Sequence, residues 1–138
     1  SDSEWKIAYF HHPLYTTARR GPEVELRAIL EPLFVKHGVD VVFAGHEHVY
    51  ERFKPQRGIH HFLAGGAAKL RKGDTRRGPL TAAAFDRDRS SMIVEIIDNK
   101  MFFQAISRTG AVIDEGIIPS RETAEATRAE VLPLVRSP

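Results

Sequence analysis

The stretch Val39-Asp-Val-Val-Phe-Ala-Gly-His-Glu-His48 decides the fold of this chain. Its first six residues are apolar apart from Asp40 and rich in β-branched side chains, which is typical of a buried strand that ends at Gly45. Upstream, Lys6-Ile-Ala-Tyr-Phe10 is a second short apolar run, and it is ended by His11-His12-Pro13. A short apolar run bounded by a breaker also predicts a buried strand.

A helix is predicted between these two strands. Pro22 suits a first helical position, and Gly38 closes the segment. Apolar residues recur at helical spacing in between, namely Leu26, Ile29, Leu30, Leu33 and Phe34. Pro32 lies inside this pattern and is expected to kink or split the helix. Strand, helix and strand over about 40 residues form a βαβ unit, whose strands run parallel and whose crossover is almost always right-handed.

Downstream of this unit the pattern changes to antiparallel signals. A strand is predicted at His60-His-Phe-Leu-Ala64, and a three-stranded meander then follows over 91–97, 101–107 and 111–118, with turn residues between the runs. The segment 120–135 is rich in Ala, Glu and Arg and predicts a short surface helix. The fold class expected is therefore α/β, with a parallel βαβ unit followed by an antiparallel meander.

A single domain is expected for the 138 residues, of which 42% are hydrophobic. It divides into the βαβ unit with its loops (1–66), a basic loop (67–90), the meander (91–119) and a C-terminal tail or short helix (120–138). The 20 basic and 18 acidic residues nearly balance, which argues against both disorder and a specific nucleic-acid partner. The basic cluster at 69–77 contains no aromatic residue and is interpreted as a solvated loop.

Two broad classes of protein are also excluded by composition. Cysteine is absent, so disulfides, thiolate metal sites and a cysteine nucleophile are ruled out. No stretch approaches the roughly 18 apolar residues of a membrane span, so no membrane partner is expected. The N-terminus lacks the order of a signal peptide and suits a trimmed chain as well as a whole one, so the compartment stays open.

Histidines follow both strands of the predicted βαβ unit. His11 and His12 come after the first strand, and His46 and His48 come after the second, beyond Gly45. Ligands of parallel α/β sheets bind at the carboxyl ends of the strands, so these side chains are expected at one edge. Neutral imidazole is a common ligand of zinc and iron, and a tight His-x-His turn presents two imidazoles to one cavity. A metal site is therefore predicted here.

The other histidines fit ordinary structural positions. His60 and His61 open a predicted strand and are interpreted as strand surface, with His61 or Gly65 near the rim of the cavity. His37 falls at a helix C-terminus, where the helix dipole favours it.

Carboxylate ligands are missing from the predicted site. Hydrolysis by two metals needs a bridging carboxylate and further oxygen ligands that hold the ions roughly 3.5 to 4 Å apart. Asp40 lies at the wrong end of its strand, and Glu47 is expected to point away from its flanking histidines. The carboxylates are therefore expected from another segment of polypeptide.

Three segments resemble the calcineurin-like metallophosphoesterase superfamily, and most closely its purple acid phosphatase-like branch. Phe10-His-His-Pro-Leu-Tyr15 is similar to the family's His-x-Pro loop, and Gly45-His-Glu-His-Val-Tyr-Glu-Arg52 is similar to its Gly-His-x-His motif. Phe62-Leu-Ala-Gly-Gly66 and the later meander also look like this family. The resemblance implies the C-terminal half of a four-layer sandwich, because the Asp-x-His, Gly-Asp and Gly-Asn-His blocks that normally come first do not occur.

What the resemblance implies can be stated residue by residue. His11 and His46 would ligate one metal and His48 the other, in a centre of two Fe, Zn or Mn ions. A hydroxide acidified by these metals would attack phosphorus in a phosphate ester. His12 is expected to touch the phosphate or protonate the leaving group, while Tyr15 and Tyr50 are candidates for contacting the substrate. The chain alone would bind metal weakly and turn over negligibly without its N-terminal half.

Two other interpretations stay open at this stage. The domain could be a non-catalytic assembly or regulatory unit with one structural zinc, closed by a fourth ligand such as His61. It could also be a partner-binding module, because half of a layered sheet exposes an apolar edge that favours dimerisation or strand exchange.

Overall fold

The computed structural model describes residues 4–131. In that range the chain forms two sheets and two helices, and the predicted α/β class is confirmed. The elements in chain order are β1 (Ile7–Phe10), α1 (Val24–Lys36), β2 (Val41–Ala44), β3 (Tyr50–Phe53), β4 (His60–Ala64), β5 (Thr81–Phe85), β6 (Ser90–Ile97), β7 (Lys100–Ser107), β8 (Val112–Pro119) and α2 (Arg121–Val131).

The first sheet has five strands in the order β1-β2-β4-β3-β5. β1 and β2 pair in parallel with Ile7 opposite Val41 and Phe10 opposite Ala44, so the predicted βαβ unit is confirmed. β4 also runs parallel to β2, whereas β3 and β5 run antiparallel to their neighbours. The carboxyl ends of β1, β2 and β4 therefore lie along one edge of the sheet.

The second sheet is the predicted meander, β6-β7-β8, in which both pairs are antiparallel. It packs on the first sheet through a core that includes the rings of Phe62 and Phe103, which meet edge to face with their centroids 4.9 Å apart. Val41, Met101 and Ile118 are buried in the same cluster. The two layers bury apolar side chains from alternate positions of their strands, as packed sheets do.

The direction of β4 differs from the prediction, and its carboxyl end lies at the same edge of the sheet as those of β1 and β2. Its residues were predicted from sequence among the antiparallel signals, yet Val42 lies opposite His61 in a parallel register with β2. A run of four or five apolar residues does not by itself reveal its direction, because the pairing is decided by the path of the chain between the strands.

β3 and β5 were not predicted as strands. β3 contains Glu51 and Arg52 and lacks an apolar alternation, and β5 is rich in alanine, which has a low strand propensity. Both strands form because β3 pairs on one side with β4 and on the other with β5. The region 67–90, predicted to be a loop, therefore contains a strand in its second half.

α1 is one continuous helix from Val24 to Lys36 and includes Pro32. Of the two outcomes expected for Pro32, the split is therefore wrong, and the kink stays a prediction. The proline lies on the exposed side, where water can satisfy the carbonyl that loses its donor. No residue of α1 is buried, and Ile29 remains 64% exposed, so the helix covers the sheet only loosely.

α2 confirms the predicted C-terminal helix over Arg121–Val131, while residues 132–138 of the predicted tail lie outside the described range. Its start is tied to the first sheet because the backbone N–H of Arg121 donates to Asp40, 2.6 Å away. Neither helix within residues 4–131 is long and apolar enough to cross a membrane.

Gly65, directly after β4, lies very close to the backbone of Glu47 in the loop that follows β2. A Cβ added at Gly65 would lie 2.0 Å from the backbone oxygen of Glu47, a contact that backbone movement alone can relieve. We expect Gly65→Ala to lower the free energy of unfolding by at least about 2 kcal/mol, measured by urea denaturation. Gly78→Ala is the matched control, since nothing lies within 4 Å of its added Cβ. Equal stability of the two variants would contradict the expectation.

Candidate metal centre

The parallel pairing of β1 and β2 brings two histidine loops together. His11 follows β1, and its backbone oxygen accepts a hydrogen bond from the N–H of Gly45, which follows β2, at 3.0 Å. A Cβ at position 45 would lie 3.8 Å from the backbone oxygen of His11, in ordinary van der Waals contact. The predicted convergence of the two loops at one sheet edge is what the backbone shows.

Three imidazoles form a compact group at this edge. The ligand nitrogens of His11, His12 and His46 all lie within 4.8 Å of one another. Nδ1 of His46 is 3.1 Å from Nε2 of His11, and the ring centroids of His12 and His46 are 4.4 Å apart. The three side chains are exposed or half-buried, so this group is open to ligands from solvent or from another polypeptide.

The membership of this group differs from the ligand set implied by the resemblance. His12 joins His11 and His46, whereas His48 does not belong to the group formed among the described residues. The backbone oxygen of His48 accepts a hydrogen bond from the N–H of Arg71 at 2.9 Å. The roles of His12 and His48 therefore remain predictions.

The backbone of His46 has an unusual conformation. Its φ is 65°, in the left-handed region that residues other than glycine adopt at a cost of order 1 kcal/mol. The turn is held by the bond from the N–H of Glu47 to the oxygen of Gly45, at 2.8 Å. This conformation turns the imidazole of His46 toward His11 and the carboxylate of Glu47 into the protein.

Cationic groups surround the histidines. Nη1 of Arg20 lies 3.3 Å from Nε2 of His46, and the described residues supply no carboxylate partner to its guanidinium. Partial burial, His12 and Arg20 lower the pKa of His46 below its usual value. Partial burial lowers the pKa of His48 too, with further contributions from nearby cations. Both imidazoles are thereby favoured in the neutral form that binds metals.

The two acidic residues nearest the site face inward. Glu47 is fully buried and pairs with Arg71, as expected from the prediction that it points away from its neighbours. Glu51 is fully buried as well and accepts hydrogen bonds from the hydroxyl of Thr16, at 2.5 Å, and from the N–H of Thr17. Burial raises the pKa of Glu51, while the bonds from both threonines lower it. Neither carboxylate is free to bind a metal beside the histidines.

The two tyrosines predicted to contact substrate are engaged elsewhere. Tyr50 is only 1% exposed, and its hydroxyl donates to Asp114 at 2.7 Å, so it is a core residue and the substrate prediction for it is corrected. Tyr15 is half-buried, and its hydroxyl donates to Glu31 of α1 at 2.5 Å. Burial and Glu31 raise the pKa of Tyr15 to about 12. A substrate contact by Tyr15 stays a prediction.

His61 is a core residue rather than the surface residue that was predicted. It is 3% exposed and packs edge to face on Tyr15, with ring centroids 4.7 Å apart. Its Nε2 has no hydrogen-bond partner among the described residues. Burial, together with the nearby His60 and Arg27, lowers its pKa to about 4. His60 is half-buried beside it. β4, which carries this side chain, is the central strand of the first sheet, between β2 and β3.

Two residues near the site were missed as structural partners. Arg71 lies in the segment interpreted as a solvated basic loop, yet it is largely buried in an ion pair with Glu47. The contact between Arg20 and His46 was not predicted either. The sequence shows many cationic residues near the two histidine motifs. Their number alone does not reveal which side chain each of them contacts.

Comparison with known proteins supports the resemblance inferred from the histidine motifs. The sequence model of the calcineurin-like phosphoesterase family matches residues 1–50. Purple acid phosphatase 21 of Arabidopsis thaliana is 49% identical over 53 residues, which are 37% of this chain and 12% of that protein. Fe(3+)-Zn(2+) purple acid phosphatase 12 of the same plant is 40% identical over 68 residues, covering 48% of this chain and 14% of the relative.

Solved structures agree on the fold. Purple acid phosphatase PPD1 from yellow lupin superposes with a TM-score of 0.70 at 22% identity, covering 83% of this chain and 25% of that one. GAP50 of Plasmodium, described as an anchor in the inner membrane complex, superposes with a TM-score of 0.79 at 18% identity and covers 86% of this chain and 37% of that one. The chain thus shares the fold of these two structures over most of its length, but it spans only a minor part of the proteins it matches.

The buried imidazole of His61 makes stability depend on pH. Its pKa is lower in the folded state than the ordinary 6.5, so its stabilising effect is complete above pH 6.5 and is lost as the pH falls toward about 4. The loss amounts to something on the order of 3 kcal/mol. We expect His61→Phe, which keeps a ring against Tyr15, to flatten the pH dependence of the unfolding free energy in this window.

The variant His37→Gln controls for the removal of one imidazole, because His37 is exposed at the end of α1. Denaturant unfolding at several pH values measures the effect. An unchanged slope between pH 6.5 and 4 in His61→Phe would contradict the assignment.

Proposed function

We propose that this chain supplies the histidine side of a two-metal centre in a phosphoester hydrolase of the calcineurin-like, purple acid phosphatase-like type. His11 and His46 would hold one metal ion and His48 the other. The observation that carries the proposal is the group of His11, His12 and His46 at the carboxyl ends of parallel strands, where their ligand atoms lie within 4.8 Å of one another. The role of His48 rests on the resemblance of its motif to that of the family. The family match over residues 1–50 supports the same chemistry.

The donor set fits metal ions of this kind. Imidazole nitrogens suit zinc and iron, whereas manganese prefers the oxygen ligands that would come from elsewhere. The lowered pKa values of His46 and His48 leave their ring nitrogens free of a second proton. When bound, two such ions would neutralise phosphoryl oxygens and acidify the attacking water. One curated relative is named a Fe(3+)-Zn(2+) enzyme, which supports iron or zinc.

Two residues of this chain would act on the substrate, one by transferring a proton and the other by its positive charge. His12 is exposed beside His46, in a position to touch a phosphate oxygen or to protonate the leaving group. Arg20 offers a guanidinium with no described carboxylate partner, and a phosphoryl oxygen is the ligand such a group prefers. Together they would bind and orient a phosphate ester at the histidine edge.

The remaining ligands would come from polypeptide outside this chain. The acidic residues closest to the histidines, Glu47 and Glu51, are buried and already bonded, so they leave the bridging role unfilled. The chain covers about an eighth of its first curated relative, which leaves ample length for carboxylate ligands. Exposed apolar side chains on β1 and α1, such as Tyr9 at 83% exposure, offer a surface to such a segment.

The alternative of a non-catalytic domain with one structural zinc has less support. Structural zinc needs four protein ligands, and the fourth candidate, His61, is buried against Tyr15 rather than joined to the histidine group. The open edge of β1 keeps an assembly role possible for the isolated chain, through dimerisation or strand exchange.

Activity of the extended protein tests the proposal. We expect a protein that includes the upstream half to hydrolyse p-nitrophenyl phosphate, and to lose that activity when metals are removed by a chelator. His46→Ala should reduce kcat/KM by at least about 100-fold, because outer-shell changes at metal sites already cost about 10 to 100-fold. His37→Ala, at the exposed end of α1, is the matched control and should retain full activity. Metal-independent or absent hydrolysis would overturn the proposal.

Metal binding by the 138-residue chain alone is expected to be weak. Three imidazoles can hold one ion, but no carboxylate of the described residues bridges to a second, so we expect at most one weak site per chain. Isothermal titration with zinc measures both the number of sites and their affinity. Two tight sites per chain would contradict this expectation.

A further inference from the structure

Glu47 is a fully buried carboxylate between two predicted metal ligands. Its exposed fraction is 0%, and its Oε2 accepts a bond from Nη1 of Arg71 at 2.6 Å. Its Oε1 accepts a bond from the backbone N–H of Arg20 at 3.2 Å. A buried carboxylate costs several kcal/mol in lost hydration unless it is well paired, so these bonds constrain where the carboxylate lies.

Arg71 extends this constraint to a second turn. Its Nη1 also contacts Asp74, at 3.2 Å, and its backbone N–H donates to the oxygen of His48 at 2.9 Å. Asp74 in turn pairs with Nε of Arg19 at 3.5 Å. The segment 69–77 is therefore attached by side chain and backbone to the histidine loops.

Three loops meet at this carboxylate. The first is the histidine turn, defined here as residues 45–48. The second carries Arg20, whose guanidinium reaches His46 at 3.3 Å, and the third carries Arg71. Gly65 packs against this turn. It has no side chain, and a Cβ at its position would lie only 2.0 Å from the backbone oxygen of Glu47. The left-handed conformation of His46 depends on this surrounding structure, because an unsupported turn would relax it.

We propose that Glu47 and Arg71 are positioning residues whose buried ion pair holds the histidine turn and Arg20 in the geometry of the site. The inference rests on the proposed function, since that function gives the histidine turn its task. Stability alone does not account for the pair, because buried ion pairs can often be replaced by apolar side chains at no loss of stability. The pair joins the loops in one specific arrangement, which apolar contacts would not do.

The test compares four variants of the chain. Glu47→Gln keeps the volume of the side chain and removes its charge, and Arg71→Met removes the partner from the other side. Asp114→Asn is the matched control, because it removes the charge from another largely buried pair, with Arg52 at 2.7 Å, which joins β3 to β8 and includes no residue of the histidine turn. Arg71→Lys keeps the charge and serves as the conservative variant.

The first measurement is the long-range proton–nitrogen spectrum of the imidazole rings, which reports the tautomer and surroundings of each histidine. We expect Glu47→Gln and Arg71→Met to shift the ring signals of His46 and His48, with a partial return in Arg71→Lys. Asp114→Asn should lower the melting temperature and leave those signals in place. The second measurement is zinc affinity, which should fall by about tenfold in the two site variants and not in the control.

Unchanged ring signals of His46 in folded Glu47→Gln and Arg71→Met would overturn the proposal. Failure of both variants to fold while Asp114→Asn folds would also overturn it, because the pair would then be a requirement of the whole fold. The ring spectra are recorded without metal or substrate, so an extended protein without phosphatase activity would refute the proposed function and leave this result unaffected.

Discussion

The parallel pairing of β1 with β2 is the interaction on which the site depends. With Phe10 opposite Ala44, the residues that follow the two strands emerge side by side, and the bond from the N–H of Gly45 to the oxygen of His11 joins them at 3.0 Å. β4 runs in the same direction and delivers Gly65 to the same edge. A change of register or direction in any of these strands would separate the imidazoles, because side chains reach only a few ångströms from the backbone.

At this edge of the sheet, the acidic side chains are buried and the basic ones are at least partly exposed. The carboxylates of Glu47 and Glu51 are buried and bonded, whereas the imidazoles and the guanidinium of Arg20 face outward. The outcome is an open surface with nitrogen ligands and cations and without an available carboxylate from the nearest acidic residues. Such a surface suits a phosphate anion directly, and it suits two metal ions once oxygen ligands arrive from elsewhere.

Much of the fold was predictable because its signals are local. The short apolar runs, the helical spacing before Gly38 and the turn residues of the meander predicted β1, α1, β2 and the second sheet. β3 and β5 escaped because their residues acquire strand structure from pairing with β4 and with each other, not from their own pattern. The effect of Pro32 also depended on its surroundings, because its exposed position in α1 lets the helix continue.

The sequence by itself determined that histidines follow two parallel strands and therefore meet at one edge, since strand direction and chain order suffice for that conclusion. Only the tertiary structure decided which imidazoles come together. His12 rather than His48 joins His11 and His46, because the left-handed turn at His46 and the pairing of Glu47 with Arg71 direct these side chains. Arg71 lies 24 residues beyond Glu47, and a partner at that separation is chosen by the folded path of the chain and not by any local pattern.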